Sequence, residues 1–395
     1  MLSEEPSTNR PLRVLHCPTM TGGNPQELAR AERTIGLASW SVALFRSTVG
    51  YETDEVIDPH QVGPLRMEMA RWPLLWRALR DFDVIHFNFG SSLMPHWNSI
   101  HSPAFKNFPV WKRRLYGIYA RCLELKDLPV LKLAGKGIVV TYQGDDARQG
   151  DYCRNNYDIT FAGEVEPGYY SSQSDRRKRR RIERFARYAD RIYAVNPDLL
   201  NNLPERAEFL PYACINLTEW SSTRSYVAND PPVVLHAPSN RDVKGTRYVT
   251  EAVARLQAEG IAFEFVLVED VARADLRSTY EKADLLVDQV LAGWYGGLAV
   301  ELMALGKPVM CYIRDSDLHF IPPAMREQLP VISVTPDTLY ARLKEWLTTR
   351  RSDLSVVGER SRQFVEQWHD PLKIANQLKD DYEAIIRSKS GNSAG

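Results

Sequence analysis

Ten short apolar runs, each bounded by turn residues and most separated by stretches of helical period, restrict this chain to a parallel α/β architecture. In the first half they are 12–18, 41–45, 83–89, 137–143 and 191–196; in the second, 233–238, 263–268, 283–290, 309–313 and 331–334. Runs of this length that are apolar throughout, rather than alternating, are buried on both faces, which is the condition of strands in a sheet covered by helices on each side. The pattern occurs twice, so two doubly wound, Rossmann-like sheets are expected. A chain of 395 residues is too long for one ordinary core and suits two. The expected division is a first domain over 10–213 and a polar, turn-rich linker over 214–232. A second domain follows over 233–368, then a final helix over 369–389. That helix starts at HisAspPro, with Asp370 as N-cap and Pro371 in the first turn.

Charge and cysteine content exclude several function classes. Lys plus Arg and Asp plus Glu are each 50, so no net field favours nucleic acid and any basic patch must be local. Five cysteines, at 17, 122, 153, 214 and 311, are odd in number and contain no close pair, which argues for reduced thiols, a cytoplasmic setting and no zinc ribbon. A leader segment and a run of 18 apolar residues are both absent, so neither secretion nor a membrane span is expected. Residues 1–10 and 389–395 are polar and expected to be loose.

The densest chemical signal is GWYGGLAVELMALGKPV at 293–309, between two apolar runs. It reads as strand, glycine loop, short helix, GlyLysPro stop, strand. Gly296 and Gly297 let the backbone approach a ligand and offer it the amides of a helix beginning near Leu298, the way α/β folds hold phosphate. Glu301, one turn into that helix, is poorly suited to phosphate but well suited to accept hydrogen bonds from ribose or sugar hydroxyls. Phosphate and hydroxyl recognition side by side point to a nucleotide sugar. Any parallel α/β domain can also contain a glycine-led helix before GlyLysPro.

This segment resembles the donor-binding element of retaining GT-B glycosyltransferases of the group 1, family four type, matching at Gly296, Gly297, Glu301, Gly306, Lys307 and Pro308. The resemblance implies two Rossmann-like domains facing a cleft, a C-terminal helix returning to the first domain, a nucleotide-sugar donor as substrate, and no cofactor. Those enzymes usually carry a second glutamate eight positions before the first; here that position is Gly293.

Other strand ends facing the implied cleft add candidates. After the first run, Gly22 and Gly23 precede a helix near Pro25; in the resembled family this loop approaches the donor phosphates, and Gly23 is the position carried over, although a tight strand-to-helix turn needs glycine anyway. At 239–245, Lys244 and Gly245 supply the cation and close backbone a diphosphate needs, and Arg241 can add a bidentate contact. Resembled enzymes place the arginine at the position of Ser239. In TYQGDDARQG at 141–150, Gln143 stands where similar enzymes often have histidine. It can orient a sugar but cannot titrate. Asp145 and Asp146 are the nearest carboxylates, with an Asx turn as their alternative role. His86 and Asn88 are candidates for acceptor contact, His86 equally for a core histidine; His16 and His236 read as structural. The AspXAsp pairs at 81 and 83 and at 315 and 317 lie at no glycine loop, so no metal is expected.

RRKRRRIER, bounded by Arg176 and Arg184, forms with Ile182, Phe185, Ala186 and Ala189 an amphipathic helix with one arginine-rich side. It is either a solvated face or a peripheral contact to anionic lipid or a phosphorylated acceptor at the inner face of a membrane. Trp111, Leu115, Ile118, Tyr119 and Cys122 make a second stripe beside Lys112, Arg113 and Arg114, expected to be core rather than a membrane anchor. The function expected is sugar transfer, with retention, from a nucleotide sugar to a glycan or lipid-linked acceptor in polysaccharide biosynthesis. A sugar-nucleotide epimerase of the same fold and a non-catalytic nucleotide- or glycan-binding module are the alternatives.

Overall fold

The computed structural model describes residues 10–45, 52–57, 64–96, 108–220, 229–269 and 273–391. Strands β1 (Arg13–Cys17), β2 (Ala38–Ala43), β3 (Glu55–Val56), β4 (Val84–Asn88), β5 (Gly137–Tyr142), β6 (Arg191–Ala194) and β7 (Glu208–Phe209) form one sheet, in the order β3-β2-β1-β4-β5-β6-β7. Strands β8 (Val233–His236), β9 (Glu264–Leu267), β10 (Leu285–Val287), β11 (Val309–Cys311) and β12 (Ile332–Ser333) form a second, in the order β12-β11-β10-β8-β9. Every pairing is parallel. Nine of the ten apolar runs contain a strand, and the run 41–45 overlaps β2. The two elements without a sequence signal, β3 and β7, are two-residue edge strands, too short to carry a period.

The strand register explains why the runs are apolar throughout. Val14 pairs with Val84 and Leu15 with Ile85, and side chains alternate between faces along each strand. One face, with Leu15, Ile85, Ile138 and Val140, is buried under Leu74, Ala78, Leu131 and Phe185. The other, with Val14, Val84, Val139 and Tyr193, is buried under Leu28 and Ala31 and under Ile374, Leu378 and Tyr382 of the C-terminal helix Pro371–Gly391. That helix returns to the first sheet and is fixed there by polar contacts as well: Asp381 accepts from Arg191 at 3.0 Å and from the Tyr193 hydroxyl at 2.6 Å.

Several expectations need correction. Of the ends expected to be loose at 1–10 and 389–395, the described residues are held: Arg10 pairs with Asp83 at 2.9 Å, and residues 389–391 continue the last helix, with Lys389 3.1 Å from Asp190. Residues 1–9 and 392–395 lie outside the described residues, as do 221–228 of the linker. The linker's start is packed rather than polar and open, since Cys214 and Ile215 are buried in the core of the second sheet. Trp111, Leu115 and Ile118 are not core: they are 60%, 58% and 59% exposed, and Cys122 is exposed with them. Helical period shows that a face is apolar, not that another element covers it.

A buried imidazole is expected to make the fold acid-sensitive. His369 lies where the chain crosses back to the first sheet, with Nδ1 2.9 Å from the Tyr212 carbonyl and Nε2 2.9 Å from the Tyr295 hydroxyl. Burial pushes His369 down to about 4, from an ordinary 6.5. A folded value below the unfolded one means that the unfolded chain takes up a proton the folded chain refuses. Stability from this group is therefore intact above about pH 6.5 and is lost as pH falls toward 4, at up to about 1.4 kcal/mol per pH unit. Urea midpoints at pH 7 and pH 5 should differ less for His369→Gln than for the parent; equal differences would show that this histidine does not set the slope.

Candidate active site

Both sheets reverse their strand order, and open α/β sheets bind ligands beyond the carboxyl ends of the strands at that reversal. In the first sheet it lies between β1 and β4; in the second, between β8 and β10. The second reversal brings together the loop after β8, which carries Arg241 and Lys244, and the loop after β10, which carries the glycine motif.

The two loops are joined by a residue that sequence reasoning passed over. Asp288, directly after β10, is buried; one carboxylate oxygen is 2.7 Å from the Lys244 ammonium and the other accepts the Gly296 amide at 2.8 Å. Lys244 lies so close over the loop that a Cβ on Gly296 would be 3.2 Å from its Nζ. Gly245 turns the chain after Lys244 with φ of +72°, and a Cβ there would meet Val290 at 2.5 Å, so only glycine lets the loops approach this closely. The only signal available beforehand was an aspartate at a strand end.

Between the buried residues 290–295 and 299–305, the chain comes partly to the surface at Gly296, Gly297 and Leu298, where the helix Gly297–Ala304 begins. The amides of Gly297 and Leu298 precede the first bonds of the helix, those of Ala299 and Val300 to the Gly296 carbonyl at 3.1 and 3.4 Å, so anion recognition by backbone is available where the loop is open. Glu301 is buried one turn further in, 5% exposed. Arg241 is set apart from this group. Its guanidinium is 2.7 Å from Glu269 and largely exposed, beside a hollow of about 360 Å³ that Glu164, Arg247 and Leu291 also line and that Lys244 and Glu301 do not.

Gly293 has φ of +87°, and a Cβ on it would fall 2.5 Å from Nη1 of Arg314. The position where the resembled enzymes carry glutamate is thus backed by a guanidinium. Arg314 pairs with Asp317 at 2.9 Å, donates to the Ile159 carbonyl at 3.0 Å and stacks 3.6 Å from the Tyr157 ring centroid. These contacts tie the second sheet to the segment after β5. The same segment places Cys153, Phe161 and Tyr170 in one core with Val234 and Leu285.

On the first-sheet side, Gly22 and Gly23 both take positive φ before the helix Asn24–Thr34. Gln143 is held in a row of buried amides: it accepts from Asn24 at 3.5 Å, donates to Asn88 at 3.3 Å, and its carbonyl accepts from Asn196 at 2.7 Å. Asp145 accepts from the Tyr169 and Tyr170 hydroxyls at 2.5 Å each and lies 3.4 Å from Arg148. Burial alone would raise its carboxyl, but Arg148 and the two hydroxyls outweigh it and hold the group below the usual range. Asp146 accepts the Gln143 and Gly144 amides, closing the turn, and burial pushes it up to about 6. His86 is placed in the core: it is fully buried, with Nδ1 2.7 Å from the Tyr382 hydroxyl and Nε2 2.7 Å from Thr141. Its ring has no surface to offer an acceptor. Asn88 is engaged by Gln143 and the His86 carbonyl. Among the described residues, no three His, Cys, Asp or Glu side chains converge as a metal site.

No protein-family model and no curated protein sequence matches the chain. Solved structures do. HepE of Anabaena, in complex with UDP and glucose, superposes with a TM-score of 0.58 at 12% identity, covering 94% of this chain and 100% of that one. Sucrose-phosphate synthase from Thermosynechococcus elongatus gives 0.55 at 16% identity, covering 96% and 100%. An alpha-glucosyltransferase in complex with UDP and mismatched DNA gives 0.56 at 11%, covering 94% and 99%. The fold is GT-B. At these identities the likeness is one of architecture, and the GT-B arrangement accounts for both sheets, the two facing strand-end loops and the returning C-terminal helix.

Proposed function

We propose that this GT-B protein transfers a sugar from a nucleotide-sugar donor to a glycan or lipid-linked acceptor, with retention at the anomeric carbon. The observation that carries the reading is the Lys244–Asp288–Gly296 bridge at the strand-order reversal of the second sheet. Before donor binds, Asp288 is the counter-ion of Lys244. A donor diphosphate at the open glycine loop competes for the same ammonium and meets the first-turn amides, so the leaving charge is stabilised by groups already in place. Glu301 receives the ribose hydroxyls. UDP in two of the similar structures supports a uridine donor.

Gln143 orients the transferred sugar and, being an amide, takes no proton. Asp145 is held ionised, so it can stabilise positive charge developing at the anomeric carbon but cannot serve as the acid. Asp145, Asp146 and Asp288 are each engaged by hydroxyls, amides or Lys244, so the donor phosphate oxygen, rather than one of these carboxylates, accepts the acceptor proton on the face from which the phosphate departs. The protein's contribution is position and charge.

Incubation with a panel of nucleotide sugars, with and without acceptor, tests this: nucleoside diphosphate should appear faster with acceptor. A changed sugar without acceptor would indicate epimerisation, and binding without turnover a module. Transfer should continue in EDTA, because Lys244 and the helix amides take the part of a metal; complete loss restored by Mn²⁺ would overturn that. Glu301→Ala should weaken nucleoside diphosphate binding by about 1–3 kcal/mol with the fold intact. Unchanged calorimetric affinity would remove Glu301 from the site.

A further inference from the structure

Two neighbouring helices of the first half turn apolar faces to solvent. On Pro64–Asp81 the face is Leu65, Met69, Trp72 and Trp76, exposed by 72%, 59%, 49% and 62%. On Val110–Leu123 it is Trp111, Leu115 and Ile118, with the exposed Cys122 completing the row. Both rows follow the spacing i, i+4, i+7, i+11, which keeps them on one side of a helix. The helices lie side by side, since the Tyr116 hydroxyl donates to Glu68 at 2.9 Å and Tyr119 hydrogen-bonds Trp72. Lys112 and Arg114, both exposed, flank the second row.

Where that helix ends, a hollow of about 720 Å³ opens against the arginine helix Ser172–Tyr188, lined by seven arginines and only two glutamates. In a chain of zero net charge this is a strong local concentration of one sign. Much of its hydrogen bonding leaves the charge in place: Arg184 donates to the Glu124 carbonyl at 2.7 Å, Arg176 to Ser172 and Arg181 to Gly90, all backbone oxygens. Burial first, and then the neighbouring Arg121 guanidinium, push Arg177 down.

We propose that this face docks on an anionic lipid bilayer, the tryptophan rows entering the headgroup boundary and the arginine hollow taking lipid phosphates. Tryptophan with aliphatic side chains on one helix face and cations beside it is the composition that interfacial helices use. Self-association explains the face less well, because a two-fold dimer through it would set one cationic hollow near its copy. The docking also faces the cleft. Arg181 holds the loop after β4 through Gly90, and Lys178 donates to the Arg148 carbonyl in the loop after β5 at 2.7 Å, so headgroups would lie beside the strand ends of the first sheet. The inference goes beyond the transferase reading and does not depend on it.

Cys122 provides the test, because it lies in the apolar row and the other four cysteines are buried. Full-length protein labelled there with an environment-sensitive dye, and unlabelled protein in parallel flotation, is mixed with phosphatidylcholine vesicles with and without phosphatidylglycerol. Expected are a blue shift and co-flotation with the anionic vesicles, weakening with salt. Arg177→Ser with Arg180→Ser and Arg187→Ser should cut vesicle affinity by about a hundredfold, and Trp76→Ser with Trp111→Ser by roughly tenfold. Thermal midpoint and nucleotide affinity should not change. No flotation of the parent, variants that float like the parent, or a parent dimer that the tryptophan changes dissociate would each overturn the proposal. Loss of sugar transfer with flotation intact would count against the transferase reading alone.

Discussion

Replacing Lys244 with alanine is expected to cost about 3–5 kcal/mol of folding stability, because it leaves the Asp288 carboxylate buried with its cation removed. The Lys244 side chain is 11% exposed and the Asp288 side chain 1%, so little water reaches either to compensate. What remains to Asp288 is the Gly296 amide, one neutral donor for a full charge. Adding Asp288→Asn should recover a large part of the loss, since the amide removes the unpaired charge and keeps an oxygen for Gly296. Urea unfolding of the two single variants and the double variant measures this coupling. The same variants separate structure from recognition. With the fold restored in the double variant, affinity for a nucleoside diphosphate should still fall well below the parent's, while affinity for the bare nucleoside changes little, because the missing attraction is to phosphate. A Lys244→Ala cost below about 1 kcal/mol, the range of exposed pairs, would mean that the bridge does not hold the two loops together. Equal losses for nucleoside and diphosphate would place Lys244 away from the phosphates.

The fold was legible in this sequence because buried parallel strands are uniformly apolar, and a run such as 137–143 or 233–238 has few other readings. The glycine loop was legible because Gly296 and Gly297 lie between an apolar run and a helix within one short segment. Asp288 and Arg314 were not. Each acquires its role from a partner far along the chain, Lys244 for one and Gly293 with Ile159 for the other, and one sequence holds no record of such distances. Arg241 was assigned to the diphosphate from its neighbour Lys244; its ion pair with Glu269, just after β9, is a contact with no sign in the sequence. His86 shows the converse: an apolar strand flanking a histidine allows a core or a functional role, and Tyr382, contributed by a helix almost three hundred residues later, decides for the core. The row Trp111, Leu115, Ile118 has the period of a packed helix and remains uncovered, because covering it depends on elements the period does not describe.

Gly293→Ala should be a strongly disruptive single-methyl change in the loop after β10. Its φ of +87° already disfavours an L side chain by about 1–2 kcal/mol. The new Cβ would also stand 2.5 Å from Nη1, 2.6 Å from Cζ and 2.9 Å from Nη2 of Arg314. A flexible side chain could withdraw, but this guanidinium is fixed on three sides by Asp317, the Ile159 carbonyl and the Tyr157 ring. Moving it gives up an ion pair, a hydrogen bond between the two halves of the molecule and a stacking contact, so the total should reach about 3–5 kcal/mol. Gly135→Ala isolates the backbone part, having φ of +72° and nothing within 4 Å of the added carbon. It should cost about 1–2 kcal/mol. In an Arg314→Ser background the steric part disappears, and Gly293→Ala should then cost no more than Gly135→Ala; that difference is the coupling between Gly293 and Arg314. If Gly293→Ala and Gly135→Ala have equal urea midpoints in the parent background, the guanidinium does not occupy this place. The same geometry explains why the glutamate of the resembled enzymes cannot simply be restored here. Its Cβ would have to enter the volume that Arg314 fills, so a Gly293→Glu variant should lose stability before it can gain any contact to a sugar.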